Sequence, residues 1–508
     1  MGEPYYITTA ISYPNGKPHI GHAYEAIAAD AMARFRRAQG RDVRLITGTD
    51  EHGLKMAQTA RGEGRETLEY ADDMSSYFRQ MCDGLNISYD AFVRTTEPRH
   101  GAASIALWKA MEIPKENGKS DLYLDRYEGY YSVRDEAFYE ESELSDGSNG
   151  EKLSPQGTPV EWTKEESWFF RLSAYQDRLL AHYRDHPEFI QPESRRNEVL
   201  RFVEGGLRDL SISRTSFDWG VPVPGSPDHV MYVWVDALTT YMTGVGYPDL
   251  DGDFARFWPA DVHLIGKDIV RFHAVYWPAF LMSANLPLPQ QVYGHGFILA
   301  KSGEKMSKSA GNSVDPMDMA ARYGVDALRY FLLREVSFGQ DGSYSHEAIV
   351  NRVNSELDNS FGNLAQRSLS MVFKNLDGIL PTAGEVDDDR VLLDQVREGC
   401  AGLTREFDRF AFSTGLEAWM AAVFACNAYV DAQAPWALKK NDPDRMDAVL
   451  GTLVAAVRML AEAVAPVIPG SAAKLIALID AGADGTPIAQ PTPIFPRLEL
   501  GEDDDADR

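Results

Sequence analysis

Tyr5-Tyr-Ile-Thr-Thr-Ala-Ile-Ser12, then Pro14-Asn-Gly-Lys-Pro18, His19-Ile-Gly-His22 and Val43-Arg-Leu-Ile-Thr-Gly-Thr-Asp-Glu-His-Gly53, is the stretch that decides the fold. Residues 5–12 are β-branched and aromatic and read as a buried strand. Two prolines and a glycine in the next segment end it. Ala23, Ile27, Ala31 and Phe35 then recur at helical spacing, which predicts a helix from about Gly21 to Arg37 that stops at Gly40. Val43–Ile46 is a second strand, closed by the loop 47–53. Strand, loop, helix, strand opens a doubly wound parallel sheet of the α/β class, whose ligands lie beyond the carboxyl ends of its strands.

Working outward, residues from about 116 to 225 change character. Gly, Ser, Glu and aromatic residues cluster there, as in Tyr127-Glu-Gly-Tyr-Tyr-Ser-Val133, which reads as an insertion. Strand-like runs return at Met231–Val235, Val262–Ile265 and Gln291–Leu299, and these are expected to complete the first sheet. From about 325 to about 480 the pattern is helical, and the acidic tail Glu502-Asp-Asp-Asp-Ala-Asp507 reads as peripheral.

The chain has 508 residues, with 50 Lys plus Arg against 76 Asp plus Glu and a net charge of −26. That balance argues against a general nucleic-acid coat or a membrane-surface protein, though not against a nucleic-acid partner held by a few local cations. Cys82, Cys400 and Cys426 are too far apart in sequence for a disulfide scaffold or a Cys-x-x-Cys metal knuckle. The N-terminus lacks the pattern of a signal peptide and no apolar run reaches membrane length, so the expected location is cytoplasmic.

Two short motifs carry chemistry. His19 and His22 sit three apart at a predicted helix start, on one face of the first turn. Unpaired N–H groups and the positive dipole end favour phosphate there, and Gly21 permits close approach of a flat base. On its own this four-residue pattern is weak, and two capping histidines on a surface helix are the better reading of it. Lys305-Met-Ser-Lys-Ser309, between Gly303 and Gly311, reads as a mobile loop whose two lysines could clamp phosphates.

Together, His19-Ile-Gly-His22 and Lys305-Met-Ser-Lys-Ser309 resemble the two signatures of class I aminoacyl-tRNA synthetases. Ala10-Ile-Ser-Tyr13, Gly48-Thr-Asp50-Glu-His52-Gly, Tyr232-Val-Trp234-Val-Asp236-Ala and Gly266-Lys-Asp268-Ile-Val-Arg-Phe272-His273 narrow the resemblance to the methionyl-tRNA synthetase family, from about residue 4 to about 480. The resemblance implies a Rossmann-like catalytic domain in two halves, 1–115 and 229–315. It also implies an inserted connective domain (116–228), a stem-contact hinge region (316–355), an all-helical anticodon-binding domain (356–490) and a tail (491–508). The implied reaction is attack of the methionine carboxylate on the α-phosphorus of ATP, followed by transfer of the methionyl group to the 3′ end of methionine tRNA, initiator and elongator alike.

By position in the family motifs, His19, His22, Lys305 and Lys308 meet the phosphates; Gly21, Glu25, Gly266, Asp268 and Ile298 contact the nucleoside, and Mg2+ accompanies ATP. Asp50 matches the acceptor of the substrate ammonium and Arg214 the residue that pairs with it. Ala10, Ile11, Tyr13, Trp234, Leu238, Tyr241, Ile269, Phe272 and His273 match the pocket wall, an aromatic cup suited to a polarizable thioether. His273 and Tyr13 could offer donors to its sulfur. A wall position held by Trp in some members is Leu210 here. A difference of one methylene is worth only about 1–3 kcal/mol, so imperfect rejection of close analogues is expected.

Many relatives carry a Cys-rich zinc knuckle in the insertion, but the matching stretch Lys152-Leu-Ser-Pro-Gln-Gly-Thr-Pro-Val160 has no cysteine, so no zinc is expected. Asn363, Arg367 and Trp436 match the positions that read the anticodon. An exposed Trp can stack an unpaired base, although a Trp after a Pro at a helix start is often plain packing. The insertion is short for an editing domain, which argues against a sister synthetase for leucine, isoleucine or valine. A small-molecule nucleotidyltransferase has no use for the helical C-terminal third, and a non-catalytic paralogue none for intact His19, His22, Lys305, Lys308 and Asp50. With no further module visible after about 480, a monomer is expected. A lone histidine such as His263 reads as a satisfied core residue.

Overall fold

The computed structural model describes residues 2–135, 137–147, 150–299 and 314–500. Lys305, Lys308 and the tail 501–508 lie outside the described residues. The chain divides into two compact units, Met1–Pro18 with Gly40–Asp83 and Ile87–His295, and His19–Gln39 with Gly84–Asn86 and Gly296–Arg508.

The first unit is built on a parallel six-stranded sheet. Its spatial order is Ala91–Arg94, Asp42–Thr49, Pro4–Thr9, Val262–Gly266, Val292–His295 and Ile190–Gln191. Ile7 pairs with Leu45 on one side and Val262 on the other, so the sheet reverses its winding at Pro4–Thr9. Tyr5 to Thr9 are all buried, as a strand covered on both faces requires. The sixth strand comes from inside the segment read as an insertion, whereas Met231–Val235 does not join this sheet. Ser226–Met231 pairs instead with Ser213–Arg214 and Pro222–Val223 in a separate antiparallel sheet, and Val233–Thr243 is a helix. Its run of Val, Trp and Val is buried by helix packing, an outcome that a short apolar run allows as readily as a strand. The insertion also holds a four-stranded antiparallel sheet ordered Leu210–Ser211, Glu161–Phe170, Leu122–Ser132 and Ala137–Tyr139, a two-stranded pairing of Ser145–Asp146 with Lys152–Leu153, and the helices Gln176–Asp185 and Glu193–Glu204.

In the second unit the helix Ile20–Ala38 buries Ala23, Ile27, Ala31 and Phe35, the positions its periodicity marks. Its C-terminal end meets the helical part of the chain: Arg36 reaches Asp408 at 2.6 Å and the Phe35 ring packs edge-on to Phe407. Midway along, Asp30 meets Arg329 of the helix Val325–Glu335 at 2.6 Å, and neither side chain is exposed. Arg329 also donates to the carbonyls of Leu85, Pro466 and Val467, which joins three distant segments at one guanidinium. Long helices follow at Asp387–Phe407, Phe412–Gln433 and Pro443–Val464. Ile298–Leu299 pairs with Gly342–Ser343 in this unit rather than extending the parallel sheet.

Candidate active site

The carboxyl ends of three adjacent parallel strands deliver part of the candidate site in the first unit. Pro4–Thr9 leads to Ala10, Ile11 and Tyr13; Asp42–Thr49 leads to Asp50; Val262–Gly266 leads to Asp268, Ile269, Phe272 and His273. Ala10 N–H donates to the Leu264 carbonyl at 3.0 Å and Asp50 N–H to the Ser12 carbonyl at 2.9 Å, so these loops stay in register past the sheet. This is the crevice at a topological switch point.

An aromatic cup stands beside it. The rings of Trp234 and Phe272 stack at 3.9 Å with 4° between planes, and Tyr241 and His273 lie next to them. Phe272 sits in a π turn, Phe272–Tyr276, and packs with Tyr139, Leu144 and Val160 of the insertion, so the insertion braces one wall. His273 Nδ1 lies 2.9 Å from the Ile269 carbonyl, which can only accept, so the ring proton is on Nδ1. Nε2 then accepts from the Tyr241 hydroxyl at 2.6 Å. Burial lowers the His273 pKa to about 4, so the ring is neutral near pH 7. The donor expected of His273 toward a thioether is therefore already committed to Ile269. Tyr13 Oη accepts the Met56 N–H at 2.9 Å. Arg214 is buried, donates to Ser211 Oγ at 3.0 Å and to the Ser213 carbonyl at 2.6 Å, and lies over the ring faces of Tyr232 and Tyr131. Those electron-rich faces suit a guanidinium removed from water. Leu238 is buried, whereas Leu210 is half-buried on an edge strand of the insertion.

The loop around Asp50 holds residues that sequence reasoning left unassigned. Glu51 is fully buried and takes a bidentate contact from Arg94, at 2.7 and 2.9 Å, plus the hydroxyls of Thr49 and Thr96. Its carbonyl accepts from Trp219 Nε1 at 2.6 Å. His52 Nδ1 lies 2.5 Å from Asp236 Oδ2, and His100 Nε2 is 2.5 Å from the other carboxylate oxygen. Burial opposes charge on Asp236, but the two imidazoles outweigh it and hold the carboxyl well below the usual carboxylate range. His52 and Asp236 are 184 positions apart, and only their place inside quoted motifs hinted at a role.

On the nucleotide side of the reading, the second unit places His19 and His22 at the start of Ile20–Ala38 in a reciprocal cap. Gly21 N–H donates to His19 Nδ1 and His19 N–H to His22 Nδ1, both at 3.1 Å, and the rings lie 3.9 Å apart. The capping and phosphate-binding readings are thus not rivals. Each Nδ1 is occupied as an acceptor, so in the neutral rings the proton resides on Nε2 and both Nε2–H edges are donors. A Cβ on Gly21 would sit 2.9 Å from His19 Cε1, so the glycine leaves room for the ring. Glu25 lies one turn along the same helix and is half-buried. Ile20 N–H donates to the Val314 carbonyl at 3.1 Å, which ties residue 314 to the two-histidine turn. Ile298 is buried in the short pairing with Gly342. Gly266 and Asp268 belong to the first unit, where a Cβ on Gly266 would meet the Asp268 carboxylate at 2.8 Å.

In the helical part, Asn363 and Arg367 lie one turn apart on Asn363–Asn375, and the Arg367 guanidinium is 5.5 Å from the ring of Trp436. Trp436 is 53% exposed, so it is not a buried staple. In the insertion, Ser154, Tyr139 and Thr158 all donate to Asp135, and Ser132 meets Thr158 at 2.7 Å. A hydroxyl network thus closes the loops that include the cysteine-free stretch. Among the described residues no group of three or more His, Cys, Asp or Glu is placed to hold a metal ion. His263 is fully buried, with its ring nitrogens on Thr8 Oγ1 and Trp277 Nε1, as expected of a satisfied core histidine.

The family profile described as tRNA synthetases class I (M) matches residues 5–369, and the anticodon binding domain of methionyl tRNA ligase matches 380–502. Methionine–tRNA ligase of Brucella suis is 55% identical over 510 residues, covering 97% of this chain and 98% of that protein. Methionine–tRNA ligase of Mycobacterium tuberculosis (strain H37Rv) is 54% identical over 519 residues, covering 98% of each chain. The crystal structure of Mycobacterium tuberculosis methionyl-tRNA synthetase bound by methionyl-adenylate superposes with a TM-score of 0.92 at 53% identity, covering 97% of this chain and 100% of that one.

Proposed function

The chain belongs to the methionyl-tRNA synthetase family of class I tRNA synthetases, and from that membership we propose how its own residues carry out the reaction. The enzyme activates methionine with ATP to methionyl-adenylate, releases pyrophosphate, and transfers the methionyl group to the 3′ end of methionine tRNA with release of AMP.

Asp50 accepts the substrate ammonium, with Arg214 as its charge partner. Trp234, Leu238, Tyr241, Ile269, Phe272, His273, Ala10, Ile11 and Tyr13 enclose the thioether side chain. A methionine carboxylate oxygen attacks the α-phosphorus and forms the mixed anhydride as the bond to the pyrophosphate oxygen breaks. Charge grows on the triphosphate oxygens in that step, and fixed donors aimed at it lower the barrier without reorganising. His19 and His22 supply Nε2–H donors, and Lys305 and Lys308 supply cations. Glu25, Gly21, Gly266, Asp268 and Ile298 hold the nucleoside, and Mg2+ enters with ATP as part of that substrate. The observation that carries the reading is the reciprocal histidine cap, in which each Nδ1 accepts a backbone N–H, so that the proton of each neutral ring is on Nε2.

Asn363, Arg367 and Trp436 read the anticodon of both methionine tRNAs, the Trp by stacking on an unpaired base. We also infer a zinc-free insertion and a cytoplasmic monomer. No helix among the described residues is long and apolar enough to cross a membrane. Two assays test these assignments. His22→Ala should lower methionine-dependent ATP–pyrophosphate exchange by about a hundredfold or more, since one well-placed donor is worth roughly 3 kcal/mol. Trp436→Ala should leave that exchange intact and weaken tRNA charging. A folded His22→Ala enzyme with near-normal exchange overturns the phosphate assignment.

A further inference from the structure

Asp50 follows a parallel strand directly, yet its two successors reach in different directions. Glu51 turns to Arg94, Thr49 and Thr96, and its carbonyl is held by Trp219. Gly53 N–H donates back to the Trp219 carbonyl. His52 turns to Asp236, which is 1% exposed on the helix Val233–Thr243. That helix also carries Trp234, Leu238 and Tyr241. His100, fully buried in the helix Pro98–Glu112, holds the second Asp236 oxygen and places its Nδ1 2.9 Å from Thr243 Oγ1, at the last residue of the same helix. Thr243 Oγ1 also lies 3.2 Å from the Thr239 carbonyl, one turn back on its own helix.

We propose that Asp236 is a positioning residue of the methionine site. Through His52 it fixes the loop that bears Asp50, and through its own helix it ties that loop to the aromatic cup, so that the ammonium acceptor and the side-chain pocket keep one spacing. This inference rests on the reading of Asp50 as the ammonium acceptor. Nothing in the network touches the reacting atoms. Its part is to hold a distance, and a misplacement of about 1 Å can cost a hundredfold in rate.

The test is steady-state ATP–pyrophosphate exchange on the full-length enzyme, with methionine and ATP titrated separately. Asp236→Asn keeps the shape and removes the charge that two N–H donors require. It should raise the methionine KM by about tenfold or more while the ATP KM stays within about twofold. His52→Asn, whose amide can donate from near the Nδ1 position, should keep the methionine KM within about threefold, and His52→Ala should raise it as Asp236→Asn does. A folded Asp236→Asn enzyme with unchanged methionine KM, or with both KM values raised alike, overturns the proposal. If Asp236→Asn does not fold, the two His52 variants decide, and equal effects of Asn and Ala reject the positioning role. Asp50→Asn separates the two layers. An unchanged methionine KM there refutes the ammonium assignment itself, whereas a raised KM there beside an unchanged one in Asp236→Asn refutes only the positioning role.

Discussion

Replacing Arg329 with Met removes a buried cation that the Asp30 carboxylate and three backbone carbonyls share. The guanidinium and the Asp30 carboxylate are both fully buried, 2.6 Å apart. Asp30 keeps one other cation, Arg34, at 2.8 Å. The carbonyls of Leu85, Pro466 and Val467 lose the donors that Arg329 gives them. Breaking one side of a buried pair costs about 3–5 kcal/mol, because the remaining charge stays out of water. Each abandoned carbonyl adds to this, and the apolar Met side chain with local relaxation offsets part of it. A net loss of about 4 kcal/mol is therefore expected. With a slope of about 2 kcal/mol per molar urea, the midpoint falls by about 2 M. The assay is urea unfolding followed by far-ultraviolet circular dichroism, with hydrogen exchange of the helix Ile20–Ala38 as the local readout. Asp30→Asn should cost less, since Arg329 keeps its three carbonyls, and the double variant should show coupling well above the error of a cycle. A loss below about 1 kcal/mol for Arg329→Met, the range of exposed pairs, would falsify the account of this residue as a buried junction.

Further outcomes follow from the geometry. Gly21→Ala puts a methyl 2.9 Å from the His19 ring, so ATP–pyrophosphate exchange should fall at least about tenfold with the fold intact. Gly62→Ala, where a Cβ meets nothing within 4 Å, is the control and should leave exchange unchanged. Burial lowers the His273 pKa to about 4, so between there and the ordinary value of 6.5 the unfolded chain binds more protons than the folded one. Acidification through that window should cost roughly 3 kcal/mol, and His273→Gln should flatten the dependence seen in urea midpoints. Asp135→Asn should speed hydrogen exchange across residues 132–158, as three hydroxyl donors lose a charged acceptor. Metal analysis of the wild-type protein should find no stoichiometric zinc; one zinc per chain contradicts the zinc-free insertion.

The sequence carried those parts of the fold that rest on local pattern. The first strand, the first helix and the second strand fall within about three residues of their periodic signals, because burial on both faces or along one stripe leaves its mark in each. Val233-Trp-Val235 reads equally well as strand or helix, and tertiary packing made it a helix. Ile190–Gln191 is two residues long and joins the sheet only because Val292 is there to pair with it, which no local window contains. The same division applies to the site. Motifs located His19, His22, Asp50 and the aromatic cup. The hydrogen-bond partners were not legible, since His273 Nε2 meets a hydroxyl 32 positions away and His52 a carboxylate 184 positions away.

The helix that begins with the two histidines comes early in the chain yet lodges among residues that come late. Cutting the polypeptide between His295 and Gly296 would therefore not yield an adenylating half and a tRNA-reading half. The first fragment would carry a loose amphipathic segment with Asp30 deprived of Arg329, and the second a vacant trough lined by Phe407, Asp408 and that arginine. Neither piece should be competent alone, and activity should return only when the two are co-expressed and threaded together.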